Sequence, residues 1–127
     1  MGRTLPSRER IRRRPDFLRV QRNGARTRGR YLTLFTLPNG LDFARLGIIA
    51  TRRLGGSVRR NRAKRRAREL FRHLKGRPGV DVVALLRPEF TDAPFTALDA
   101  DYRRTLHRRQ LGAFAQGGAA TSRALGD

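Results

Sequence analysis

The sequence predicts an α+β fold with the element order α-β-β-α-β-α, an order that leaves room for one extra short strand. Three observations predict it: helical and extended periodicities alternate along the chain, glycine and proline clusters separate the periodic segments, and the hydrophobic fraction of 38% suffices for one modest core. A chain of 127 residues has the length of one ordinary domain. We therefore expect a single domain over residues 14–114, between a basic, flexible N-terminus (1–13) and a flexible, small-residue tail (115–127).

The first three elements are a short helix and two strands. Pro15-Asp16 is typical of a first helical turn, and Asn23-Gly24 of a helix end. Residues 31–37 alternate β-branched, aromatic and aliphatic side chains, and residues 44–52 form a second extended run. Because the turn sequence Pro38-Asn39-Gly40 separates these two runs, we predict that they pair as a β-hairpin.

The last three elements are a long helix, a strand and a helix. Gly55-Gly56 breaks the chain, Ser57 is a candidate N-cap, and a helical pattern then runs to Leu74. Residues 80–86 form an apolar run of strand length, which predicts a strand buried on both faces. Residues 96–114 carry an approximate helical stripe, which predicts the last helix.

The helix predicted from residue 57 has two unlike sides. At 100° per residue, one side collects the apolar residues, which predicts that it packs on the sheet: Ala63, Ala67, Leu70, Phe71 and Leu74. The opposite side projects polar and cationic residues: Asn61, Arg65, Arg68 and Arg72. Residues 57–75 contain nine Lys or Arg and one carboxylate, so repulsion between like charges dominates this surface. Such a helix indicates an anionic partner.

The charge of the whole chain supports a nucleic-acid partner. Thirty Lys and Arg against ten Asp and Glu give a formal net charge of +20, and binding by phosphate neutralisation should weaken steeply with salt. A membrane-surface role fits less well, because the N-terminal basic tract lacks an apolar face and the later basic helix needs its apolar face for the core. Apolar runs are far shorter than the roughly 20 residues of a membrane span, and cysteine is absent. We expect a soluble, cytoplasmic protein that does not bind membranes.

Catalytic chemistry is not expected from the protein itself. A metal-dependent nuclease needs carboxylates gathered around its ions, whereas the ten acidic residues are scattered along this chain. His73 and His107 have no obvious orienting carboxylate, so neither is typical of a general base. We therefore predict no catalytic residue and no metal site in the protein.

The segment 52–72 resembles the signature of the bacterial ribonuclease P protein family: a basic pair, a small-residue turn and the so-called RNR helix. The likeness extends to Arg14-Pro15-Asp16-Phe17 in the first helix, to Arg45-Leu46-Gly47-Ile48 in a strand, and to Val82-Val83 before Arg87 in the last strand, covering about residues 8–110. The resemblance implies an α/β sandwich similar to a ribosomal-protein domain, with a left-handed βαβ crossover that departs from the usual right-handed rule.

The resemblance also implies a division of labour. A catalytic RNA, with Mg²⁺ bound mainly by that RNA, would remove the 5′ leader of precursor tRNA, and the protein would assist as a non-catalytic subunit in a 1:1 complex. The residues expected to contact the catalytic RNA are Arg52, Arg53, Arg60, Asn61, Arg62, Lys64, Arg65, Arg68 and Arg72. A cleft between the first helix and the sheet would hold the leader, with Phe17, Gln21 and Phe35 at its wall.

The role of the aromatic residues predicted for the cleft stays open from sequence. Phe17 and Phe35 can be stacking platforms for single-stranded bases or ordinary core residues. Gln21 stands where the family often has an aromatic residue, so leader contact should be more polar or weaker here.

Other classes of nucleic-acid-binding protein also stay open from sequence. A ribosomal or other structural RNA-binding protein would carry a similar charge. A DNA-binding helix-turn-helix fits less well, because a strand and a glycine turn precede the basic helix.

Overall fold

The computed structural model describes residues 5–115, and side chains as far as residue 108. The helices and strands follow one another as α1 (Arg14–Asn23), β1 (Ala25–Arg28), β2 (Leu32–Pro38), β3 (Arg45–Ile49), α2 (Ser57–His73), β4 (Val80–Leu86) and α3 (Phe95–Ala115). Short 3₁₀ helices lie at Ser7–Glu9, Arg52–Leu54 and Pro88–Thr91. The predicted α+β class and element order are confirmed, and β1 is the extra short strand.

The four strands form one sheet in the order β1-β2-β4-β3. β4 lies between β2 and β3, antiparallel to the first and parallel to the second. The predicted hairpin of residues 31–37 with 44–52 is therefore wrong, because β2 pairs with β1 and β4 instead. The physical reason is that Val82 and Val83 of β4 are both 0% exposed, and a strand that buries both of its faces belongs in the interior of the sheet.

Helices cover both faces of the sheet and create two cores. The larger core lies under α2 and α3, where Leu70 and Phe71 of α2 and Leu98 of α3 pack on the sheet residues Leu34 and Val82. The smaller core lies under α1 and is built on three buried residues, Ile11, Val20 and Val83. The second face of the sheet is thus only partly covered, which leaves room beside α1 for a ligand.

The start of α2 differs from the prediction. Ser57 is the first residue of the helix, Gly56 occupies the N-cap position, and no side chain caps it. Gly55 before it has a φ of 125°, a conformation that side chains rarely adopt, and a Cβ there would lie 2.7 Å from Cδ of Arg59. The predicted cap at Ser57 is wrong, because the glycine turn ends at Gly56 and the helix begins one residue earlier than a cap at Ser57 would allow.

The described part of the N-terminus packs on the domain, whereas the sequence suggested a flexible segment before residue 14. Leu5 and Ile11 are only 2% and 4% exposed. The Ile11 backbone N–H donates to the Leu46 carbonyl of β3 at 2.8 Å, and Glu9 pairs with Lys75 at 2.7 Å. Two buried apolar side chains and a sheet-like contact therefore hold residues 5–12, which we call the strap. Residues 116–127 of the expected tail lie outside the described residues.

Candidate nucleic-acid interface

The two sides of α2 are separated as the sequence predicted. Ala63, Ala67, Leu70 and Phe71 are buried, and Leu74 packs against the same core. The outward residues fall into two groups by exposure. Exposed are Arg52 and Arg53 on the preceding 3₁₀ helix and Asn61, Arg62 and Arg65 on α2. Half-buried are Arg60, Lys64, Arg68 and Arg72. We call Arg60, Asn61, Arg62, Lys64, Arg65 and Arg68 the α2 surface.

Two further arginines of α2 are engaged within the protein. Nη2 of Arg59 donates to Oγ1 of Thr91 at 2.7 Å, and its Nε donates to the Leu54 carbonyl at 3.1 Å. Nη2 of Arg66 donates to the Ala93 carbonyl at 2.9 Å. These side chains fasten α2 to the segment after β4.

Arg72 is also paired. Its Nη2 lies 2.6 Å from Oε2 of Glu69, and its Nε donates to Oε1 of the same carboxylate at 3.3 Å. This carboxylate is the acidic side chain of α2, and it sits one turn before the end of the helix. A bidentate pair of this kind neutralises much of the guanidinium charge. Arg72 is therefore the least available of the cations that the sequence placed on the outward side.

Like charges crowd the middle of the α2 surface. Burial lowers the pKa of Arg68, and the nearby cations Arg10 and Arg65 lower it further. Burial likewise lowers the pKa of Arg66, with a second contribution from Arg62. Each shift means that the surroundings disfavour the positive charge in the absence of an anion. A phosphate on this surface would relieve that repulsion.

The predicted leader residues lie on the other face of the sheet, around α1. Phe17 and Phe35 are half-buried and pack against the smaller core, and Gln21 is half-buried on the same helix as Phe17. A Cβ at Gly47 of β3 would lie 2.7 Å from Cε1 of Phe17, so the glycine lets the aromatic ring rest directly on the strand. Both aromatics are thus core residues with part of their surface accessible. The structure is therefore compatible with both roles of these rings, as stacking platforms for bases and as core residues.

A basic groove lies on the same face, and the sequence did not single it out. It has a volume of about 390 Å³ and is lined by residues that include Arg26, Arg28, Thr33, Arg53, Arg87 and Glu89; we call it the sheet groove. In the β1–β2 register Arg26 is opposite Phe35, and Arg28 is opposite Thr33. Opposite residues of an antiparallel pair point to one face, and so do residues two apart on a strand. The β1 arginines therefore share a face with Phe35.

Arg87 extends this groove beyond β4. Its Nε is buried and has no hydrogen-bond partner among the described residues. A buried donor without a partner is costly, and a ligand oxygen would satisfy it.

The sequence does contain a signal for the strand that lines this groove. Arg26 and Arg28 alternate with Ala25 and Thr27, which is the pattern of a half-exposed strand. The signal is weak because arginine occupies the outward positions and the inward side chains are small.

A second groove connects the two faces at the edge of the sheet beside β3. It has a volume of about 320 Å³, and its ionisable side chains are Arg10, Arg12, Lys64 and Arg68. Phe17 and the strap residues Leu5 and Ile11 contribute apolar surface to it. We call it the strap groove. It brings two residues of the α2 surface next to the aromatic residue predicted for leader binding.

Within the part of the chain that the structure describes, no three His, Asp or Glu side chains come together in a way that could hold a metal ion. None of the described helices is both long and apolar enough to cross a membrane.

Comparisons with known proteins assign the family. The profile of the family described as Ribonuclease P matches residues 5–110. The chain is 37% identical over 114 residues to the ribonuclease P protein component of Thermotoga petrophila, covering 85% of this chain and 97% of that one. It is 42% identical over 105 residues to the component of Chloroflexus aggregans, covering 80% and 78%.

Solved structures agree with this assignment. The RNase P protein from Thermotoga maritima superposes with a TM-score of 0.72 at 33% identity, covering 79% of this chain and 96% of that one. The Staphylococcus aureus RNase P protein superposes with a TM-score of 0.73 at 28% identity, covering 80% and 94%. The resemblance first read from residues 52–72 thus extends over the described fold, and the chain belongs to the ribonuclease P protein family.

Proposed function

We propose that this chain is the RNA-binding subunit of ribonuclease P, in which it assists a catalytic RNA in the endonucleolytic removal of the 5′ leader from precursor tRNA. A role in tRNA 5′ processing, within a ribonucleoprotein, follows from the family. The finer assignment is that the α2 surface binds the catalytic RNA in a 1:1 complex, while the face around α1 binds the leader.

The observation that carries this proposal is the division of α2 into a buried apolar side and an outward cationic side. Ala67 and Phe71 are 4% and 0% exposed, whereas Arg62 and Arg65 are exposed on the same helix. A core packing helix needs no such concentration of arginine on its outer side. Arginine grips phosphate with two parallel N–H donors, so a row of arginines on a rigid helix suits a folded RNA backbone.

The sheet groove and the aromatics beside α1 support leader binding. Single-stranded RNA binds by stacking bases on aromatic faces while cations follow its backbone. Phe17 and Phe35 offer partly accessible rings, and Arg26 and Arg28 line the same face. Gln21 adds a polar group in place of a third aromatic, so the leader contact should rely more on hydrogen bonds and phosphate contacts.

The buried carboxylates support assigning the chemistry to the RNA. The Asp81 carboxylate accepts a hydrogen bond from Arg45, and Glu9 forms an ion pair with Lys75. The Asp101 carboxylate accepts hydrogen bonds from the backbone N–H groups of Arg30 and Tyr31. Carboxylates committed in this way do not gather around a common point, as a two-metal site requires. Mg²⁺ would accordingly be bound mainly by the catalytic RNA.

Reconstitution tests the proposed function. The purified chain is added to the catalytic RNA and precursor tRNA at a low Mg²⁺ concentration, and release of the leader is followed with time. We expect faster leader cleavage than with the RNA alone. No gain in the rate of leader cleavage would exclude the assignment and favour a structural RNA-binding protein. Cleavage by the protein without the RNA would show that the protein itself is catalytic.

A further inference from the structure

We propose that the strap groove is a binding site for a phosphodiester group of RNA, and that Arg10 and Arg12 of the strap are its phosphate ligands together with Lys64 and Arg68. The inference rests on the proposed function and adds the strap to the RNA-binding surface. It also makes the groove the junction between the α2 surface and the face around α1.

The strap is held firmly enough to present side chains in fixed positions. Leu5 and Ile11 anchor it in the core at its two ends, and Ile11 donates its backbone N–H to Leu46. The acidic side chain of the strap, Glu9, turns to Lys75 and does not line the groove. The strap therefore offers the groove two of its three arginines, Arg10 and Arg12, and directs its negative charge elsewhere.

Arg10 and Arg12 are oriented by hydrogen bonds that leave part of each guanidinium group for a ligand. Nε of Arg10 donates to the Leu5 carbonyl at 3.0 Å, and Nη2 of Arg12 donates to Oγ of Ser7 at 2.7 Å. A side chain that is already oriented loses less entropy on binding. Each guanidinium has five donors, so several remain for phosphate oxygens.

Four cations converge on this groove, and every ionisable side chain that lines it is positive. Solvated surface cations usually spread apart or pair with carboxylates, and here Arg10 instead contributes to the crowding of charge around Arg68. Such an arrangement costs free energy in the absence of an anion. A phosphate group has the charge and the acceptor oxygens to bridge several of these donors at once.

The apolar part of the groove indicates a nucleotide in preference to a lone inorganic ion. Phe17 lies at one side of the groove, and Leu46 and Ile48 of β3 form part of its wall. The volume of about 320 Å³ falls at the lower end of the usual range for small-ligand sites, roughly 300–1,000 Å³. A phosphate on the cations would leave the attached sugar and base over this apolar surface.

The test compares two double variants that remove the same charge from neighbouring positions. R10Q/R12Q changes the groove, and R13Q/R14Q changes two exposed arginines at the start of α1 that do not line it. Fluorescence anisotropy measures the affinity of each full-length variant for a single-stranded leader oligonucleotide and, separately, for the catalytic RNA, over a series of salt concentrations. The two RNAs form the arms that identify the source of the phosphate.

We expect R10Q/R12Q to weaken binding of one of the two RNAs at least fivefold, and its salt slope to fall by about 0.7 for each lost contact to single-stranded phosphate. R13Q/R14Q should change the same affinity less than twofold. Loss with the leader assigns the phosphate to the substrate, and loss with the catalytic RNA assigns it to that subunit. Equal losses in both double variants would overturn the site, because they would reflect net charge alone.

Two controls separate this site from strap folding and from the proposed function. R10K/R12K keeps the charges and should recover most of the affinity, whereas failure to recover together with a lowered melting temperature would reduce the strap to a structural role. The dinucleotide UpU, which carries one phosphodiester group, is used as a separate probe, with NMR of the wild-type chain as the readout. Chemical-shift changes at Arg10 and Arg12 are expected even if the reconstituted enzyme shows no gain in cleavage, and their absence would overturn the site.

Discussion

The carboxylate of Asp81 on β4 accepts two hydrogen bonds from the guanidinium of Arg45 on β3, at 2.8 Å from Nε and 2.7 Å from Nη2. Asn39 adds a bond at 2.8 Å, and Arg19 of α1 adds one at 3.1 Å. Asp81 is 0% exposed, so this carboxylate is a buried charge that is fully hydrogen-bonded. It joins the sheet to α1 and thereby supports the face on which the residues proposed to bind the leader lie.

Asp81→Asn should lower the free energy of unfolding by about 3–5 kcal/mol, because it leaves the partly buried Arg45 without its counter-charge. Urea denaturation monitored by circular dichroism measures the change. Asp42→Asn is the matched control, since Asp42 is exposed in the loop before β3 and its loss should change stability by about 0.5 kcal/mol or less. Similar losses for the two variants would show that the buried cluster contributes little.

The same cluster predicts how stability depends on pH. Burial alone would raise the pKa of Asp81, but the hydrogen bonds from Arg45, Asn39 and Arg19 outweigh it and hold the pKa below its ordinary value of 3.8. The unfolded chain therefore binds this proton more readily, and the stability that Asp81 contributes is present above that value and is lost as the pH falls through the folded pKa. The stability difference between wild type and Asp81→Asn should be constant near neutral pH and shrink below about pH 4. A difference that grows on acidification would contradict this assignment.

Mutations should distinguish the arginines of the α2 surface from the α2 arginines that are hydrogen-bonded within the protein. Changing Arg65 and Arg68 to Ala should reduce RNA affinity and flatten its salt dependence. Thermal stability should stay nearly unchanged, because Arg65 is exposed and the half-buried Arg68 makes no hydrogen bond or ion pair with another described residue. Changing Arg59 and Arg66 to Ala removes the same charge but breaks bonds to Thr91 and to the Ala93 carbonyl, so it should cost about 1–2 kcal/mol of stability. Anisotropy titrations and thermal melts measure the two effects. A large stability loss with an unaltered salt slope in the first variant would refute its role as a phosphate contact.

Periodicity predicted the elements that bury a regular stripe. The apolar positions of α2 recur with the helical period, and residues 80–86 were recognised as a strand buried on both faces; the structure has α2 at Ser57–His73 and β4 at Val80–Leu86. The pairing partner of each strand was harder to predict, because a turn at Pro38-Asn39-Gly40 is compatible with a hairpin or with a loop to a more distant strand. The choice depends on where β4 is buried, which is a property of the whole fold.

The candidate surface that lies on one element could be predicted from the sequence, whereas the grooves that several elements assemble could not. The α2 surface can be read from a single helix, whereas the sheet groove joins Arg26 and Arg28 of β1 to Arg87 after β4. The strap was expected to be flexible because its arginines dominate its composition. Its two anchors, Leu5 and Ile11, are six residues apart and form no periodic pattern.

Gly47→Ala tests the close packing of the strand against α1 and the strap. The added Cβ would lie 2.7 Å from Cε1 of Phe17 and 3.0 Å from Cβ of Ile11, so one of the two must move. Overpacking of this kind costs about 1–3 kcal/mol. Gly40→Ala is the contrasting variant, because its Cβ would meet nothing within 4 Å although its φ of 76° strains any side chain. We expect only Gly47→Ala to weaken leader binding, as measured with the leader oligonucleotide.

Phe17 is the residue at which packing and recognition have to be separated, since it packs against the smaller core and also lines the strap groove. Phe17→Leu keeps an apolar side chain but removes the aromatic face, so most of the stability should remain. Stacking contributes roughly 1–3 kcal/mol per base, which corresponds to about a 5- to 150-fold loss of affinity for precursor tRNA with a long leader. Mature tRNA has no leader to stack on the ring, and its affinity should therefore change little. The ratio of the two affinities, measured for the reconstituted enzyme, isolates recognition from any general loss of folding. Equal losses for both tRNAs would make Phe17 a core residue alone and move leader recognition to the arginines of the sheet groove.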